Sequence, residues 1–192
     1  MKNRQNLRSS LIRLLILFFL FKLQTVWAVD FKGTDLISGS TVYVQTSAQR
    51  LTAFVFLSSQ CPCSQASEKH LNDLVQEFSK NSFFNIVGVF SDQKEDPVKA
   101  EQYFKNSGLQ FPVIRDVGGV LAKQLGAIKT PHVFLFEYQQ GREELVYVGG
   151  VASGRKILAS DELYLKNVLE HLSQNKAAPF KEKRVLGCRI QL

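Results

Sequence analysis

The sequence predicts an α/β protein with a mixed central β-sheet and helices on both faces. Two runs, Leu51–Ser58 (LTAFVFLS) and Phe83–Phe90 (FFNIVGVF), are almost wholly apolar, as strands buried on both faces are. Strand-like and helix-like stretches alternate along the chain, with turn residues between them. Without its first 28 residues the 192-residue chain keeps 164, enough for one domain with one sizeable core.

Those first 28 residues read as an exported leader rather than as part of the fold. Lys2, Arg4, Arg8 and Arg13 make a basic start, Leu14–Phe21 an apolar core, and Val26 and Ala28 a small-residue cleavage pattern. The apolar run is eight residues, bounded by Arg13 and Lys22, whereas a bilayer span needs about 20. Cleavage after Ala28 is therefore expected, with no stable membrane span afterwards and a periodic division into residues 29–175 as the domain and 176–192 as a tail. Gly39 and Ser40 mark a turn, and Thr41–Thr46 (TVYVQT) alternates like a half-exposed strand.

After the buried strand Leu51–Ser58, a helix is expected from Pro62 to about Ser79, with Ala66, His70, Leu71, Leu74, Val75 and Phe78 on one stripe. The second buried strand follows, then a helix from Pro97 to Asn106 that starts on a proline and stops at Gly108. Phe111–Ile114 is short and extended, and GGVLAKQLGA gives a small helix closed by Gly126. His132–Tyr138, the turn QQGRE and ELVYVGG form a hairpin. The last helix is expected over Asp161–Ser173, capped by Ser160 or Asp161.

The charge argues against a nucleic-acid role. The chain carries 24 basic and 17 acidic residues, a net +7. The leader holds five of the basic residues and no acids, leaving 19 against 17, a net +2. The basic cluster KEKR at Lys181–Arg184 reads as a solvated tail.

The chemistry-bearing motif is SSQCPCS, residues 58–64. The chain has three cysteines, Cys61, Cys63 and Cys188. A domain of this size does not need disulfides to fold, and an oxidising compartment lets cysteine pairs form. With Pro62 at the first helical position, Cys61 is the N-cap and Cys63 lies in the first turn. Both sulfurs then face unpaired amides and the positive end of the helix dipole, which favours thiolate over thiol.

FKGTDLISG, the strand into SSQCPCS, FPVIRDVGGVLAKQLGAIKTPHVFLFE and VYVGG together resemble the redoxin (AhpC/TSA, peroxiredoxin-like) group of the thioredoxin-like superfamily, of secreted or periplasmic type. The resemblance covers about Phe31 to Leu172. It implies a thioredoxin-like fold in which Pro131 is cis after Thr130, precedes a sheet strand and faces the reactive cysteine. It further implies a thiol-disulfide oxidoreductase acting on protein or small-molecule disulfides and thiols, without a cofactor. Ser58, three residues before Cys61, matches the hydroxyl of peroxiredoxins and implies a weak peroxidase, with peroxide as substrate, as an alternative. Against that alternative, Phe54 stands where that group has a proline and Pro131 where it has a peroxide-activating arginine. Arg115 is the arginine that could reach the site by another route.

Cys188, in VLGCRI, is flanked by Val185, Leu186 and Ile190, which favour a docked tail over a solvated one. Three pairings are open. Cys61–Cys63 would close a tight ring, because cysteines one residue apart hold their Cα atoms at about 7 Å when extended. Cys61–Cys188 and Cys63–Cys188 need only a docked tail. Two readings of another class remain: copper binding by the cysteines with His70 or His132, and a static disulfide on a binding domain. Both histidines have structural places as well, His70 on the packed stripe and His132 at a strand start.

Overall fold

The computed structural model describes residues 30–192 apart from 81, 82, 156, 158 and 159. The expected leader, including Trp27, lies outside the described residues. The central sheet has five strands: β3 (Leu51–Leu57), β4 (Phe84–Phe90), β5 (Val113–Arg115), β7 (His132–Gln139) and β8 (Arg142–Gly149). Their order is β5-β4-β3-β7-β8. β3 runs parallel to β4 and antiparallel to β7, so the sheet is mixed as expected.

Every residue of β3 is buried, which explains its unbroken apolar sequence. Its alternate side chains feed two cores. Leu51, Ala53, Val55 and Leu57 join the core that takes Leu71, Leu74 and Phe78 of α1 (Pro62–Phe78). The same core holds Phe104 of α2 (Pro97–Asn106) and Leu165, Val168 and Leu169 of α4 (Tyr164–Ser173). Phe54 and Phe56 point to the second core, with Leu121 and Ala122 of α3 (Val120–Leu125). There Phe54 meets Phe136 edge-on at 6.0 Å, and Phe56 meets Phe134 at 5.6 Å, pairing β3 with β7 by aromatic contact as well as by backbone.

The helix starts are made by short-range chemistry. Asp96 caps α2, its carboxylate accepting from the N–H groups of Val98 at 2.9 Å and Lys99 at 3.3 Å, with Pro97 in the first turn. α3 is capped from outside by buried Asp116, which accepts from the N–H groups of Leu121 and Ala122, both at 3.0 Å, and from Ser91 Oγ at 2.8 Å. Gly126, at φ 77°, closes α3 in the left-handed conformation.

Four local expectations change. A strand the pattern did not reveal, β1 (Asp30–Thr34), pairs antiparallel with β2 (Thr41–Gln45) in a separate two-stranded sheet, so the alternating TVYVQT run is outside the central sheet. Its DFKGT sequence is too polar to read as a strand, and its pairing partner supplies what its composition does not. The last helix begins at Tyr164 with Leu163 as N-cap and no capping side chain. Ser160 Oγ instead accepts from Gly154 N at 3.1 Å, in the preceding loop. Ala66 is exposed, and the buried stripe of α1 runs through Ser64, Ser67, Leu71, Leu74 and Phe78.

The tail is part of the fold. β9 (Cys188–Arg189) pairs antiparallel with β6 (Lys129–Thr130), and Ile190 is buried in the second core. Among the described residues no helix is long and apolar enough to cross a membrane.

Candidate active site

β3 ends at Leu57, and the loop Ser58–Gln60 delivers Cys61 to the start of α1. Cys61 is the N-cap at φ −85° and ψ 114°, and Pro62 sits at the first position, as the motif predicted. Its carbonyl accepts the first helical bond, from Gln65 N at 3.1 Å, leaving the sulfur beside the unpaired amides of the turn.

Thr130 and Pro131 stand across from it. Their peptide bond is cis, and Cys61 Sγ donates to the Thr130 carbonyl at 3.0 Å. In the β6–β9 register Thr130 is opposite Cys188. The tail thereby brings the third cysteine to the first one, and each of the two thiols shifts the pKa of the other. Gly187, at φ 155°, makes this approach possible, because a Cβ there would collide with the Thr130 carbonyl. All three cysteines are free thiols; Cys61 is 1% exposed, Cys63 half-buried and Cys188 exposed.

The electrostatics separate the three. Burial works to raise the Cys61 pKa, but hydrogen bonds from the Cys188 thiol, the Thr130 hydroxyl and the backbone N–H groups of Ser64 and Cys188 outweigh it, holding Cys61 down at about 7. The Thr130 hydroxyl is buried and without a hydrogen-bond partner, which leaves it available to a thiolate at Cys61. Cys188 is pushed up to about 12 by burial, by the Cys61 thiolate that holds the proton on Cys188, and by the charges of Cys61 and Cys63. Cys63 is also raised, by burial and the charge of Cys61, with Arg155 partly offsetting both. Of the three sulfurs Cys61 is therefore the one whose thiolate is favoured near neutral pH.

Ser58 is not turned to the cysteine. Its Oγ donates to Glu95 Oε1 and accepts from Gln60 N at 3.2 Å. Ser59 Oγ donates to Glu95 Oε2 at 2.5 Å, and Ser59 N to the same oxygen at 3.2 Å. Buried Glu95 thus ties down the whole approach to Cys61. Neither Glu95 nor Arg155 was visible as a site residue in the sequence. Glu95 sits in a polar loop before a helix cap, and nothing in KEDP points to residues 37 positions earlier.

The two candidate histidines have partners of their own. His132 is buried against Phe134, with ring centroids 4.5 Å apart, and its Nδ1 accepts from Ile128 N at 3.5 Å. Burial and the charge of Lys129 bring its pKa down to about 4. His70 lies along α1, where burial lowers its pKa and its ionic neighbours are Asp73, Lys166, Glu77 and Lys69. Among the described residues no three or more His, Cys, Asp or Glu side chains are grouped to hold a metal. Arg115 lines a cavity with Phe31, Asp35 and Asp116, on the side of the β1 strand.

A mixed sheet with a cysteine at the N-cap of its first long helix and a cis-proline loop facing that cysteine defines a thioredoxin-like fold. More particularly, the chain belongs to the family described as a domain of unknown function, DUF6436, which matches residues 34–192 and so includes the tail. No curated protein sequence matches it. Among solved structures it is similar to an uncharacterized conserved protein from Geobacillus kaustophilus, with 22% identity, a TM-score of 0.74, and 86% of this chain and 89% of that one covered. It is similar also to the exposed lipoprotein thioredoxin of Streptococcus pneumoniae, with 16% identity, a TM-score of 0.55, and coverage of 68% and 95%. The thioredoxin domain of a thiol-disulfide oxidoreductase from Bacteroides vulgatus aligns with 16% identity and a TM-score of 0.51, covering 65% and 88%. At these identities the likeness is one of fold.

Proposed function

We propose that the protein is a thiol-disulfide oxidoreductase in which Cys61 is the nucleophile and Cys188 the resolving cysteine. The observation that carries this reading is the β6–β9 pairing. It sets Cys188 opposite Thr130, whose carbonyl accepts from Cys61 Sγ at 3.0 Å, so that one residue meets both cysteines. The Cys61 thiolate attacks a sulfur of a partner disulfide, one partner sulfur leaves as thiolate, and a mixed disulfide forms. Cys188 then attacks Cys61 Sγ, the second partner sulfur leaves, and a Cys61–Cys188 disulfide remains. The proton Cys188 gives up goes to a departing partner thiolate. Thr130 and Pro131 position the reacting sulfur, and Pro62 keeps the helix start free of a competing N–H.

The peroxidase alternative is the weaker one, because the Ser58 hydroxyl is engaged by Glu95 and Gln60. The division into a leader of residues 1–28, a domain of 29–175 and a tail of 176–192 is also proposed, with export to an oxidising periplasmic or external compartment. The likeness to the exposed lipoprotein thioredoxin of Streptococcus pneumoniae supports that placement.

Thiol mapping by mass spectrometry across a series of glutathione redox buffers tests the reading. A Cys61–Cys188 disulfide that opens and closes reversibly is the expected result. A bridge that stays shut throughout would leave only a disulfide-stapled binding domain. A reversible Cys61–Cys63 pair would keep the enzyme and remove Cys188 from it.

A further inference from the structure

We infer that, in the oxidised protein, partner thiols enter through Cys188 and that Cys61 is the sulfur they displace. The inference rests on the Cys61–Cys188 pairing proposed above and concerns a second thiol couple, the one that reduces the bridge: the partner whose disulfide Cys61 attacks returns through Cys61, whereas the reductant enters at Cys188.

In a cis-proline fold an incoming polypeptide would lie along the edge of β6 as an added strand. Here that edge is filled by the chain's own tail. Lys129 and Thr130 pair with Arg189 and Cys188, and Gly187 is packed on the Thr130 carbonyl. The tail is also held beyond the cysteine. Ile190 N donates to Ile128 O at 3.1 Å, Gln191 N to Asp92 Oδ2 at 3.0 Å, and Gln93 N to Gln191 O at 2.8 Å. Leu192 closes on Gly119. Anchored on both sides, Cys188 covers Cys61 and is itself presented outward: Cys61 is 1% exposed and Cys188 is exposed.

Charge favours the same port. Exposed Arg155 acts on Cys188 and Cys63, so an approaching thiolate meets a cation on that side. In thiol-disulfide exchange the sulfur of lower pKa leaves faster, and Cys61 is the low one of the pair.

A partner thiolate attacks Cys188 Sγ, the Cys61–Cys188 bond breaks, and its electron pair goes to Cys61 as thiolate. The partner is then joined to Cys188. A second thiolate of the partner, or of another molecule of the same small thiol, attacks the partner sulfur and displaces Cys188, which takes up a proton. Two partner thiols become one disulfide, and the chain's disulfide becomes two thiols.

Reduced glutathione is the probe, added to oxidised full-length Cys63→Ser protein and quenched with acid at early times. Peptide mapping before addition must show the Cys61–Cys188 bridge; if that bridge is absent, the pairing fails and the port falls with it. With the bridge present, the expected adduct is on Cys188 with Cys61 free, in excess by about ten to one over the reverse product, as leaving-group and access effects combine. Glutathione on Cys61 would overturn the inference while leaving the pairing intact. Arg155→Glu, changing an exposed loop charge, is expected to slow the attack by roughly 3- to 10-fold at low salt, with the difference fading at high salt. An unchanged rate would remove Arg155 from the argument.

Discussion

Replacing Cys188 with alanine should disarm Cys61 without touching it. Cys61 sits at about 7, below an unperturbed thiol at about 8.5, a difference worth about 2 kcal/mol in favour of the thiolate. Burial opposes that difference, so the hydrogen bonds together contribute more than it shows, and the one from Cys188 is the largest of them. A hydrogen bond to a charged group contributes about 1.5–3 kcal/mol, and a thiol is a weak donor, so its loss should be near the lower figure. About 1.4 kcal/mol is a tenfold change in the thiolate-to-thiol ratio, which takes Cys61 at pH 7 from about half thiolate to about a tenth. Cys188 is exposed, so the substitution leaves no buried cavity and the fold should hold. The assay is the ultraviolet absorbance of the thiolate against pH, in a Cys63→Ser background so that Cys61 alone titrates near neutrality. Cys188→Ser keeps a hydroxyl donor and should restore most of the thiolate while still forming no disulfide. If the Cys188→Ala curve superimposes on that of the Cys63→Ser parent, the tail does not activate Cys61 and the reasoning is refuted.

Three further outcomes follow from the same geometry. Exchange through Cys61 should rise about tenfold per pH unit below pH 7 and level off above it, because only the thiolate reacts and Cys61 titrates at about 7; a rise continuing unbroken to pH 9 would contradict the lowered value. Gly187→Ala should push the tail off β6, since its Cβ meets the Thr130 carbonyl, so alkylation of Cys61 should speed up and Cys61–Cys188 closure slow down, both read by peptide mapping. Glu95→Ala should cost about 2 kcal/mol in urea unfolding by leaving the buried Ser58 and Ser59 donors unpaired, and Glu95→Gln should recover about half of that; equal midpoints for all three proteins would dismiss the anchor.

How much of this was legible in the sequence depends on the range of the interaction. The strands Leu51–Leu57 and Phe84–Phe90 and the helices starting at Pro62 and Pro97 are written locally, in apolar runs and in N1 prolines, and they appear within a residue or so of expectation. The cis Thr130–Pro131 bond facing Cys61 was legible through resemblance alone. What failed was nonlocal. β1 is a strand because β2 pairs with it, and a sequence such as DFKGT holds no record of its partner. The start of α4 slid from Asp161 to Tyr164 because Ser160 is used by Gly154, an alternative bond that a capping rule cannot foresee. Ser58 looked like a peroxide-site hydroxyl on spacing, and only the fold shows that Glu95 claims it.

The same distinction bears on why two of the three cysteines are adjacent and yet are not the pair proposed to react. Cys61 and Cys63 share the first turn of α1, where burial, the charge of Cys61 and a hydrogen bond with it all raise Cys63. Cys188 arrives from the far end of the chain with what Cys63 lacks, a strand that fixes its register, and it is the group that lowers Cys61 most. With β9 lifted from β6, Cys61 loses its main donor and its cover together, and the residue left beside it is Cys63. Deleting Cys63 should accordingly leave closure of the Cys61–Cys188 bridge unchanged in the intact chain and slow the release of partners bound to Cys61 in the Gly187→Ala protein. A loss of bridge closure in Cys63→Ser alone would place Cys63 inside the main cycle and break this division of labour.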